Sequence, residues 1–518
     1  METSLHRRPS DPLPNSVSAS RPGRRAIDRS SHPADLHEPM GPDARPRLDH
    51  AADSLNRQSA DEDMRKRQLA GIQALLALSV PISESTVFAT SSFVAIKQIR
   101  LFALLKDPAL RGAIALMLST AVGGGLAFAF WAVTTHHHSA GAVGSISAEV
   151  SSITFLSSVG SLNLITIFAR FLPVAGGRAR RLIIASYCSA GLAGLLAATI
   201  FLVSPLSNGL VIGGTSGRLG FAVCVILYSV FNIQDGGLIG FGQFSWIPVE
   251  NISVAVMRLA LLPLAAIFLS GRTSVLWSWA LPTIIAVVVV NIFILGPLAS
   301  RKRKQPTRLP SYGKLRRLVA VGSASNSVTA AVSAFLPALV THQLGPSQGG
   351  YFYVPWLVTT MVLLLINNIT TSMTREVVAN PSRAALAIRR SVALAATAGT
   401  LAMVGCLFLA PYALAPLGSS FSTHGALLLH WIGLAMPGTT VIVLFWAVCT
   451  IRQRPWPAFA VNLTTSIAIV AGVLLLKSGV DISRVGMIYC IVQWSAAAVL
   501  SLPTFTGLRS IARHPDDL

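Results

Sequence analysis

Apolar stretches of about twenty residues recur along the chain from residue 112 onward, separated by short segments richer in polar and charged residues. About twenty apolar residues form a helix long enough to cross the roughly 30 Å hydrocarbon core of a membrane. The pattern therefore predicts twelve transmembrane helices, near residues 112–133, 148–171, 182–204, 219–234, 249–270, 274–298, 318–341, 351–373, 391–413, 426–449, 457–476 and 485–505.

The first 111 residues do not follow this pattern. Residues 1–66 are rich in Arg, Pro, Ser and Asp, and they hold too few large apolar residues to offset the entropy of an ordered chain. We expect them to form a disordered cytoplasmic tail. Residues 67–111 combine apolar residues with Lys97 and Arg100. This segment predicts an amphipathic helix on the inner membrane surface, with a helical lead-in to the first span as the alternative.

A shift of 205 residues without gaps aligns the two halves of the chain. It pairs Gly144 with Gly349, Asn163 with Asn368, and Arg170 with Arg375. The match predicts a parallel repeat of two six-helix lobes, because both copies begin on the same side of the membrane. The expected domains are a lobe at 112–299, a basic cytoplasmic linker at 300–317, a lobe at 318–505 and a cytoplasmic tail at 506–518.

Composition supports an all-α, polytopic membrane protein. Charged residues make up 12% of the chain and hydrophobic residues 52%, whereas a soluble domain carries roughly 25% charged residues. The chain carries more basic than acidic residues, but its high apolar content excludes a nucleic-acid-binding protein. With the N-terminus in the cytoplasm, 36 of the 41 Lys and Arg residues fall in the tails or on inner loops, which fits the positive-inside rule. We therefore expect a multi-pass protein of the cell membrane with both termini in the cytoplasm.

The sequence offers little for catalysis or metal binding. The five cysteines lie in apolar runs without metal-ligand spacing, so we interpret them as small buried residues. Three adjacent histidines at 136–138 have no neighbouring carboxylate or cysteine, and a solvated loop is the simpler interpretation. A nucleophile elbow and a Walker A motif are both missing from the sequence. We expect a transporter that is not an enzyme and that uses neither a cofactor nor a metal.

Several short motifs lie at corresponding helix positions in one known family. They are GSI at 144–146, SLNL at 161–164 and ARFLP at 169–173 in the second span, DGGLIG at 235–240 between the fourth and fifth spans, and YFYVPW at 351–356 in the eighth. Together, over about residues 105–510, they resemble the polysaccharide-flippase branch of the multidrug/oligosaccharidyl-lipid/polysaccharide exporter superfamily.

The resemblance implies two six-helix lobes around a central cavity that opens alternately to the two sides of the membrane. The implied cargo is a lipid-linked saccharide or related cell-surface glycolipid, moved from the inner to the outer leaflet. The expected partners are the bilayer, this lipid and glycosyltransferases of the same pathway; no nucleic acid is expected. A scaffold that recruits glycosyltransferases through the N-terminal tail is a separate alternative, which is compatible with transport. Two alternatives stay open: a cation-coupled small-molecule exporter of the same fold, and a membrane polysaccharide polymerase or ligase.

The positions of the carboxylates help to distinguish between these cargoes. Cation-coupled exporters of the superfamily generally carry carboxylates inside their helices. The sequence pattern places Glu149 and Glu250 at the ends of spans and Asp235 in a turn. This placement favours an anionic or sugar-bearing cargo over cation-coupled export.

Arg258 is the sharpest candidate for binding such a cargo. It lies near the middle of the fifth span, too deep to reach either interface easily. An arginine at this depth faces protein or water, and a guanidinium group suits a phosphate or diphosphate. The alternative is a structural arginine bonded to backbone carbonyls or paired with Glu250.

Five polar residues are further candidates for cargo binding. Ser325 and Asn326 lie in the unusually polar seventh span, Ser119 and Thr120 in the corresponding first span, and Asn368 near the inner end of the eighth. The resemblance implies that these helices line the cavity, where such side chains would bind sugar hydroxyls. Small polar residues also hold helices together in lipid, so helix packing is the open alternative.

Four residues are candidates for gating or coupling. Arg170 and Arg375 end corresponding helices on the cytoplasmic side, where anchoring to lipid headgroups is the alternative role. Asp235 is expected in the inner turn between the fourth and fifth spans, as a cap or a gating partner. His430 is expected at the outer end of the tenth span, where titration near neutral pH would couple transport to protons.

Overall fold

The computed structural model describes residues 108–513, except residues 212, 270, 302–305, 308, 311 and 478. Side chains are not described for residues 108–120 and for several residues between 312 and 325. The predicted tail at 1–66, almost all of the lead-in at 67–111 and the last five residues lie outside these limits. The proposed role of the tail in recruiting glycosyltransferases therefore stays a prediction.

The long apolar stretches form helices because a helix bonds every backbone N–H and C=O within its own segment, which a chain in hydrocarbon requires. No strand occurs within the described residues. The first-lobe helices are α1 (Pro108–His137), α2 (Ala140–Gly160), α3 (Leu164–Phe171), α4 (Ala179–Val203), α5 (Gly214–Gly240), α6 (Trp246–Phe268) and α7 (Arg272–Arg301). The second-lobe helices are α8 (Tyr312–Ser333), α9 (Leu336–Leu344), α10 (Pro346–Ala379), α11 (Ala384–Phe408), α12 (Ala410–Leu414), α13 (Ser419–Ile451), α14 (Pro455–Leu474) and α15 (Ser483–Arg513).

Ten helical segments in the described part of the chain are long and apolar enough to cross a membrane. The pair α8 and α9, bent by 46°, brings this number to eleven. Helix α1, with 30 residues, covers the predicted first span. Each of the twelve predicted spans thus coincides with a helical segment, and the prediction of a polytopic protein with about twelve membrane helices is confirmed.

The surfaces of these helices are apolar on the outside. Ile200, Val203 and Phe268 are exposed at 72%, 82% and 83% of their area. Such exposure is unfavourable in water and normal against lipid, since lipid tails are as apolar as these side chains.

The boundaries of the helices repeat with the same shift of 205 residues that aligns the sequence. The segment Gly176–Val203 corresponds to Pro381–Phe408. Each of the two segments consists of a short 3₁₀ turn followed by a long helix, α4 in the first lobe and α11 in the second. The first residue of α5, Gly214, corresponds to Ser419, the first residue of α13. The predicted repeat of two lobes is confirmed at the level of whole helices.

The two lobes differ where their chains bend. Helix α2 ends at Gly160, and Leu162 and Asn163 both adopt φ values of 50°, so the chain restarts as α3. The corresponding helix α10 runs unbroken from Pro346 to Ala379. Conversely, α1 is continuous whereas α8 and α9 are separated by a bend.

Three titratable residues lie deeper in their helices than the sequence predicts. Asp235 lies inside α5, which continues to Gly240, so the predicted turn at this position is wrong. Glu149 is in the middle of α2, and His430 is about one-third of the way along α13 rather than at its outer end. The sequence pattern underestimates the helices because polar residues inside a span resemble its ends.

The glycines after Asp235 explain why that segment looks like a turn. A β-carbon on Gly236 would lie 2.7 Å from the Cα atom of Ile165, and one on Gly240 would lie 2.8 Å from the Cβ atom of Leu172. These glycines therefore let α5 approach the α3 region closely, which is a common use of small residues between membrane helices.

Candidate substrate-binding cavity

A cavity of about 700 Å³ lies between the helices of the first lobe and α10 of the second lobe. We call it the central cavity. Its volume is within the roughly 300–1,000 Å³ range of small-molecule sites. Among the described lining residues, Arg258 is the one charged side chain. Six lining side chains are aromatic: Phe130, Trp131, Tyr228, Phe231, Trp279 and Tyr353.

Arg258 is held by three hydrogen bonds to α5 and α7. Its Nε atom donates to the carbonyl oxygen of Trp279 at 3.1 Å, and Nη2 donates to the Tyr228 hydroxyl at 2.6 Å and to Thr283 Oγ1 at 3.1 Å. The guanidinium carbon also lies 5.0 Å from the centroid of the Trp279 ring, within cation–π range. Nη1 has no hydrogen bond to the described residues, so one edge of the group is left for a ligand.

The surroundings of Arg258 fit both interpretations drawn from the sequence, a cargo-binding arginine and a structural arginine. A bond to a backbone carbonyl is present, as the structural alternative requires. The predicted pairing with Glu250 is not seen, since the hydrogen bond of that carboxylate comes from Gln234. Because Arg258 also lines the central cavity, its fixed guanidinium is available to a bound molecule.

The aromatic side chains form two groups of ring contacts. The Tyr228 and Trp279 rings stack with centroids 4.3 Å apart and an angle of 2° between their planes. Trp131 of α1 meets Tyr353 of α10 edge to face at 4.6 Å. The first of these pairs fixes α5 against α7, and the second joins the two lobes. Rings of this kind bind flat apolar groups by stacking and burial.

Three carboxylates of the first lobe lie within its helices: Glu149 and Glu250 are buried, and Asp235 is half-buried. Glu149 on α2 forms an ion pair with Arg272 on α7 at 3.7 Å. Asp235 and Glu250 lie on α5 and α6. The predicted positions are therefore wrong for Glu149, which lies in the middle of α2, and for Asp235, which lies in a helix and not in a turn, whereas Glu250 lies near the start of α6 as expected.

Asp235 and Glu250 belong to a group of polar side chains that we call the polar cluster. Its members are Tyr187, Gln234, Asp235, Glu250, Asn251 and Asn291. Gln234 Nε2 donates to Glu250 Oε1, and Asn291 Nδ2 donates to Gln234 Oε1 at 3.4 Å. Asn291 lies in a π-helical stretch, Val290–Leu295, of a kind that frequently marks functional sites.

Two carboxylate oxygens of the polar cluster are buried without a partner among residues 108–513 that the structure describes. They are Asp235 Oδ1 and Glu250 Oε2. Asn251 Nδ2 donates to the carbonyl oxygen of Ile247 at 3.1 Å, and Asn251, which lies close to Asp235, also lines the central cavity. The cluster can therefore accept a proton or a monovalent cation next to a residue that a bound cargo would contact. In the same described residues, no group of three or more His, Cys, Asp and Glu could hold a metal ion.

Two of the other predicted cargo-binding residues, Asn326 and Asn368, are not among the described residues that line the central cavity. Asn326 Nδ2 donates to the carbonyl oxygen of Ser158 at 2.9 Å, so it joins α8 to α2 across the lobes. Asn368 is half-buried on α10 outside the described cavities, whereas its neighbour Asn367 lines a smaller cavity in the second lobe. Ser119 and Thr120 lie in α1 and Ser325 lies in α8. The side chains of these last three are not described.

The predicted gating residues are also separate from one another. Arg170 and Arg375 are exposed near the ends of α3 and α10, and the Arg170 guanidinium lies 5.5 Å from the centroid of the Phe171 ring. Asp235 is part of the polar cluster. His430 Nε2 is buried without a partner within the described chain, and His430 does not line the central cavity.

Sequence reasoning missed Tyr228, Trp279, Thr283 and Tyr353, which surround Arg258 or the cavity. Aromatic residues inside an apolar stretch look like ordinary core residues. One signal was available: Trp and Tyr prefer the membrane interfaces, and Tyr228 and Trp279 both lie well inside their spans.

Solved structures match most of the chain. An inward-facing multidrug resistance MATE family transporter of the MOP superfamily superposes with a TM-score of 0.57 at 14% identity, over 77% of this chain and 96% of the other. An outward-facing conformation of such a MATE transporter gives 0.51 at 15% identity, over 79% and 98%. A MOP superfamily transporter from Pyrococcus furiosus, described by the reverse polarity of its binding pocket, gives 0.52 at 14% identity, over 79% and 97%.

No protein-family model matches the chain, and no curated protein matches it. The chain has the two-lobe, twelve-helix fold of MOP superfamily transporters and is a multi-pass membrane protein. The predicted fold class and membrane location are thus confirmed, and the predicted resemblance holds at the level of the superfamily fold. At 14% identity the similarity does not identify the polysaccharide-flippase branch.

Proposed function

We propose that this protein is a transporter that exports small amphipathic molecules by alternating access, coupled to the entry of a cation. The observation that carries the proposal is the central cavity between the lobes, whose volume of about 700 Å³ suits one drug-sized molecule. The fold supports a transporter rather than the polymerase or ligase alternative.

The lining of the central cavity indicates the chemistry of the cargo. Arg258 is its one charged group among the described lining residues, so an anion gains an ion pair and hydrogen bonds there. The rings of Trp131, Tyr228, Trp279 and Tyr353 provide apolar faces around it. The cargo that fits is an organic anion with an aromatic or flat apolar part.

The polar cluster supports cation coupling. A carboxylate in an apolar interior needs a cation, hydrogen-bond donors or a proton of its own, and Asp235 and Glu250 each have one oxygen without a described partner. A proton or monovalent cation bound there would change the contacts of Asn251, which lies at the wall of the central cavity. Asn251 thus lies between the cation site and the cargo site, so binding at one site would affect binding at the other.

The test is transport by the purified full-length chain in liposomes, with carboxyfluorescein as an anionic aromatic probe and rhodamine 6G as a cationic one. An imposed proton or sodium gradient should drive movement of carboxyfluorescein and leave rhodamine 6G at the background of empty liposomes. Arg258→Ala should reduce the carboxyfluorescein signal by roughly 10- to 100-fold. Equal transport of the two dyes would exclude the assigned role of Arg258, and transport of neither would remove the exporter proposal.

A lipid-linked saccharide flippase is the second candidate, and Arg258 is the observation that favours it. A guanidinium in the cavity suits the phosphate of a lipid headgroup while the acyl chain stays in the membrane. Deletion of the gene, followed by analysis of lipid-linked glycans on each leaflet, separates the two functions. A lipid-linked sugar that accumulates on the inner leaflet would favour the flippase, whereas an unchanged profile with dye export would favour the small-molecule exporter.

A further inference from the structure

An open cavity of about 500 Å³ lies between the last turns of α13 and the first turns of α14, with Thr329 of α8 at its side. We call it the inner groove, because the charge pattern places these helix ends in the cytoplasm. The groove follows α14 from Pro455 to Asn462, which is about 10 Å at the helical rise of 1.5 Å per residue. Thr329 and Thr450, which line it, are exposed. The groove therefore runs from the membrane surface toward the hydrocarbon and is open on one side.

The wall of the inner groove is suited to an apolar chain. The rings of Trp446 and Phe459 form part of it. Two of its polar side chains already have partners within the protein. Thr450 Oγ1 donates to the carbonyl oxygen of Trp446 at 2.8 Å, and Asn462 Nδ2 donates to Thr329 Oγ1 at 2.7 Å. An apolar chain can therefore fill the groove without breaking these hydrogen bonds, which would be costly.

Two arginines lie at the mouth of the inner groove. Gln453, which adopts a φ of 55°, turns the chain after α13, and Arg452 and Arg454 on either side of it are exposed. The backbone N–H of Arg454 donates to the carbonyl oxygen of Cys449, a groove residue, at 2.9 Å. Within the described part of the chain, neither arginine forms an ion pair with a carboxylate. The mouth thus carries two positive charges that are available to an anion.

Trp456 indicates that the mouth lies at the membrane surface. Its side chain is 69% exposed, and its ring meets that of Phe459 edge to face with the centroids 5.9 Å apart. An exposed tryptophan at the end of a membrane helix is typical of the headgroup level. The cytoplasmic leaflet is also the one that is rich in anionic lipids. The positive charges and the apolar wall therefore lie at the depths of a phosphate and an acyl chain.

We propose that the inner groove binds an anionic phospholipid of the inner leaflet, with its phosphate on Arg452 and Arg454 and one acyl chain along Trp446 and Phe459. Guanidinium groups form charge-assisted hydrogen bonds with phosphate oxygens. A zwitterionic lipid would bring an ammonium group to the same two arginines. A soluble phosphate would occupy only the mouth, and an uncharged lipid would leave the arginines without a counter-charge.

This proposal goes beyond the exporter function and does not depend on it, because the phospholipid is a bound ligand and not the cargo. The groove shares Thr329, Trp446 and Asn462 with the smaller cavity of the second lobe. That cavity shares Thr360 and Leu364 with the central cavity. A lipid in the groove contacts α8, α13 and α14 and would stabilise their arrangement at the inner end of the second lobe.

The experiment is native mass spectrometry of the full-length chain in detergent. The probes are dioleoylphosphatidylglycerol and, with the same acyl chains but no net charge, dioleoylphosphatidylcholine. We expect the first phosphatidylglycerol to bind at least roughly tenfold more tightly. Arg452→Gln together with Arg454→Gln should remove this preference. Arg389→Gln together with Arg390→Gln is the matched control, because it removes two exposed charges of α11 that do not line the groove, and it should bind as the unaltered protein does.

A second pair of variants tests the groove itself. Ala458→Trp should weaken phosphatidylglycerol binding at least roughly tenfold, because the larger side chain takes the space in which the acyl chain would be buried. Ala460→Trp is its control, since Ala460 is exposed on α14 and does not line the groove. Thermal unfolding in detergent reports whether each variant is folded. If Ala458→Trp is unfolded, the exposed pair Arg452 and Arg454 carries the test.

Equal binding of the two lipids would overturn the proposal, and so would unchanged binding by the altered proteins. An equal loss in the control at Arg389 and Arg390 would also overturn it, because attraction to the basic surface as a whole would then explain the preference. Competition by glycerol 3-phosphate at the same concentration as the lipid would indicate a site for soluble anions instead. These outcomes are independent of carboxyfluorescein transport, so the failure of this proposal is distinguishable from a failure of the exporter function.

Discussion

Gly144 of α2 and Gly350 of α10 cross so closely that a β-carbon on Gly144 would lie 2.6 Å from the backbone nitrogen of Gly350. The same β-carbon would also meet the carbonyl oxygen of Pro346. Helices α2 and α10 occupy corresponding positions in the two lobes. The glycine crossing therefore closes the lobes against each other at the end of the molecule that the charge pattern places outside.

Gly144→Val should prevent this closure, because three added carbon atoms have no space between the two backbones. We expect the lobes to open at this end and the protein to shift toward the opposite state of the transport cycle. Spin labels at His137 and His342, with Cys188 replaced by Ser, would report longer distances by electron–electron double resonance.

Gly125→Ala is the matched control, because a β-carbon there meets nothing within 4 Å. It should leave the distance distribution unchanged. An unchanged distribution in Gly144→Val would mean that the crossing does not set the closed state.

Substitutions around Arg258 should separate its charge from its fixed geometry. Arg258→Ala should reduce carboxyfluorescein transport by roughly 10- to 100-fold, the value of hydrogen bonds to a charged group. Arg258→Lys keeps the charge but cannot reach Trp279, Tyr228 and Thr283 together, so we expect a partial loss. Transport rates in liposomes of matched protein content would measure both.

Tyr228→Phe should also lower transport, because the hydroxyl that accepts from Arg258 Nη2 is lost while the stacking on Trp279 remains. Loss of one such hydrogen bond should reduce the transport rate by roughly 3- to 10-fold. Tyr412→Phe is the control, since Tyr412 is 76% exposed. Full activity in Tyr228→Phe would show that the hydroxyl does not position Arg258 for cargo binding.

The fold was largely predictable from the sequence because hydropathy is a strong constraint in a membrane. A span must be apolar over about twenty residues, and positive charges mark one side. The repeat was also visible, since the shift that aligns Asn163 with Asn368 also aligns whole helices. The segment after Asp235 was misjudged because glycines that allow close helix packing have the same composition as a turn.

The central site was only partly predictable. Arg258 stands out because a charge in an apolar span is unusual. Tyr228 and Trp279 do not stand out, because their contribution depends on which helices become neighbours in the folded chain. The unpaired oxygens of Asp235 and Glu250 were missed for the same reason. Unpaired buried atoms can be recognised only after all their neighbours are known.

Neutral substitutions in the polar cluster should uncouple transport from the cation gradient. Asp235→Asn and Glu250→Gln keep the size of each side chain but remove the negative charge that would bind a proton or cation. We expect gradient-driven movement of carboxyfluorescein to fall at least roughly tenfold, while exchange of labelled for unlabelled dye without a gradient continues.

Glu376→Gln alters an exposed carboxylate on α10 and should leave both measurements unchanged. If gradient-driven transport survives in the two cluster variants, coupling must occur at another site.

The ion pair between Glu149 and Arg272 should matter mainly for stability. Its side chains are 7% and 20% exposed, so removal of one partner leaves a mostly buried charge without compensation. Glu149→Leu should lower the free energy of unfolding by about 3 kcal/mol, the lower end of the range for buried pairs, because Arg272 remains partly accessible. Thermal unfolding in detergent would show this as a clear decrease in Tm.

The double variant Glu149→Leu with Arg272→Leu should recover much of that loss, because two apolar side chains avoid the cost of burying two charges. If the ion pair serves stability alone, the protein should therefore tolerate the replacement of both residues together. If the double variant is stable but fails to move carboxyfluorescein, the Glu149–Arg272 pair takes part in the transport cycle. If it is no more stable than Glu149→Leu alone, the loss comes from the packing of α2 and not from an uncompensated arginine.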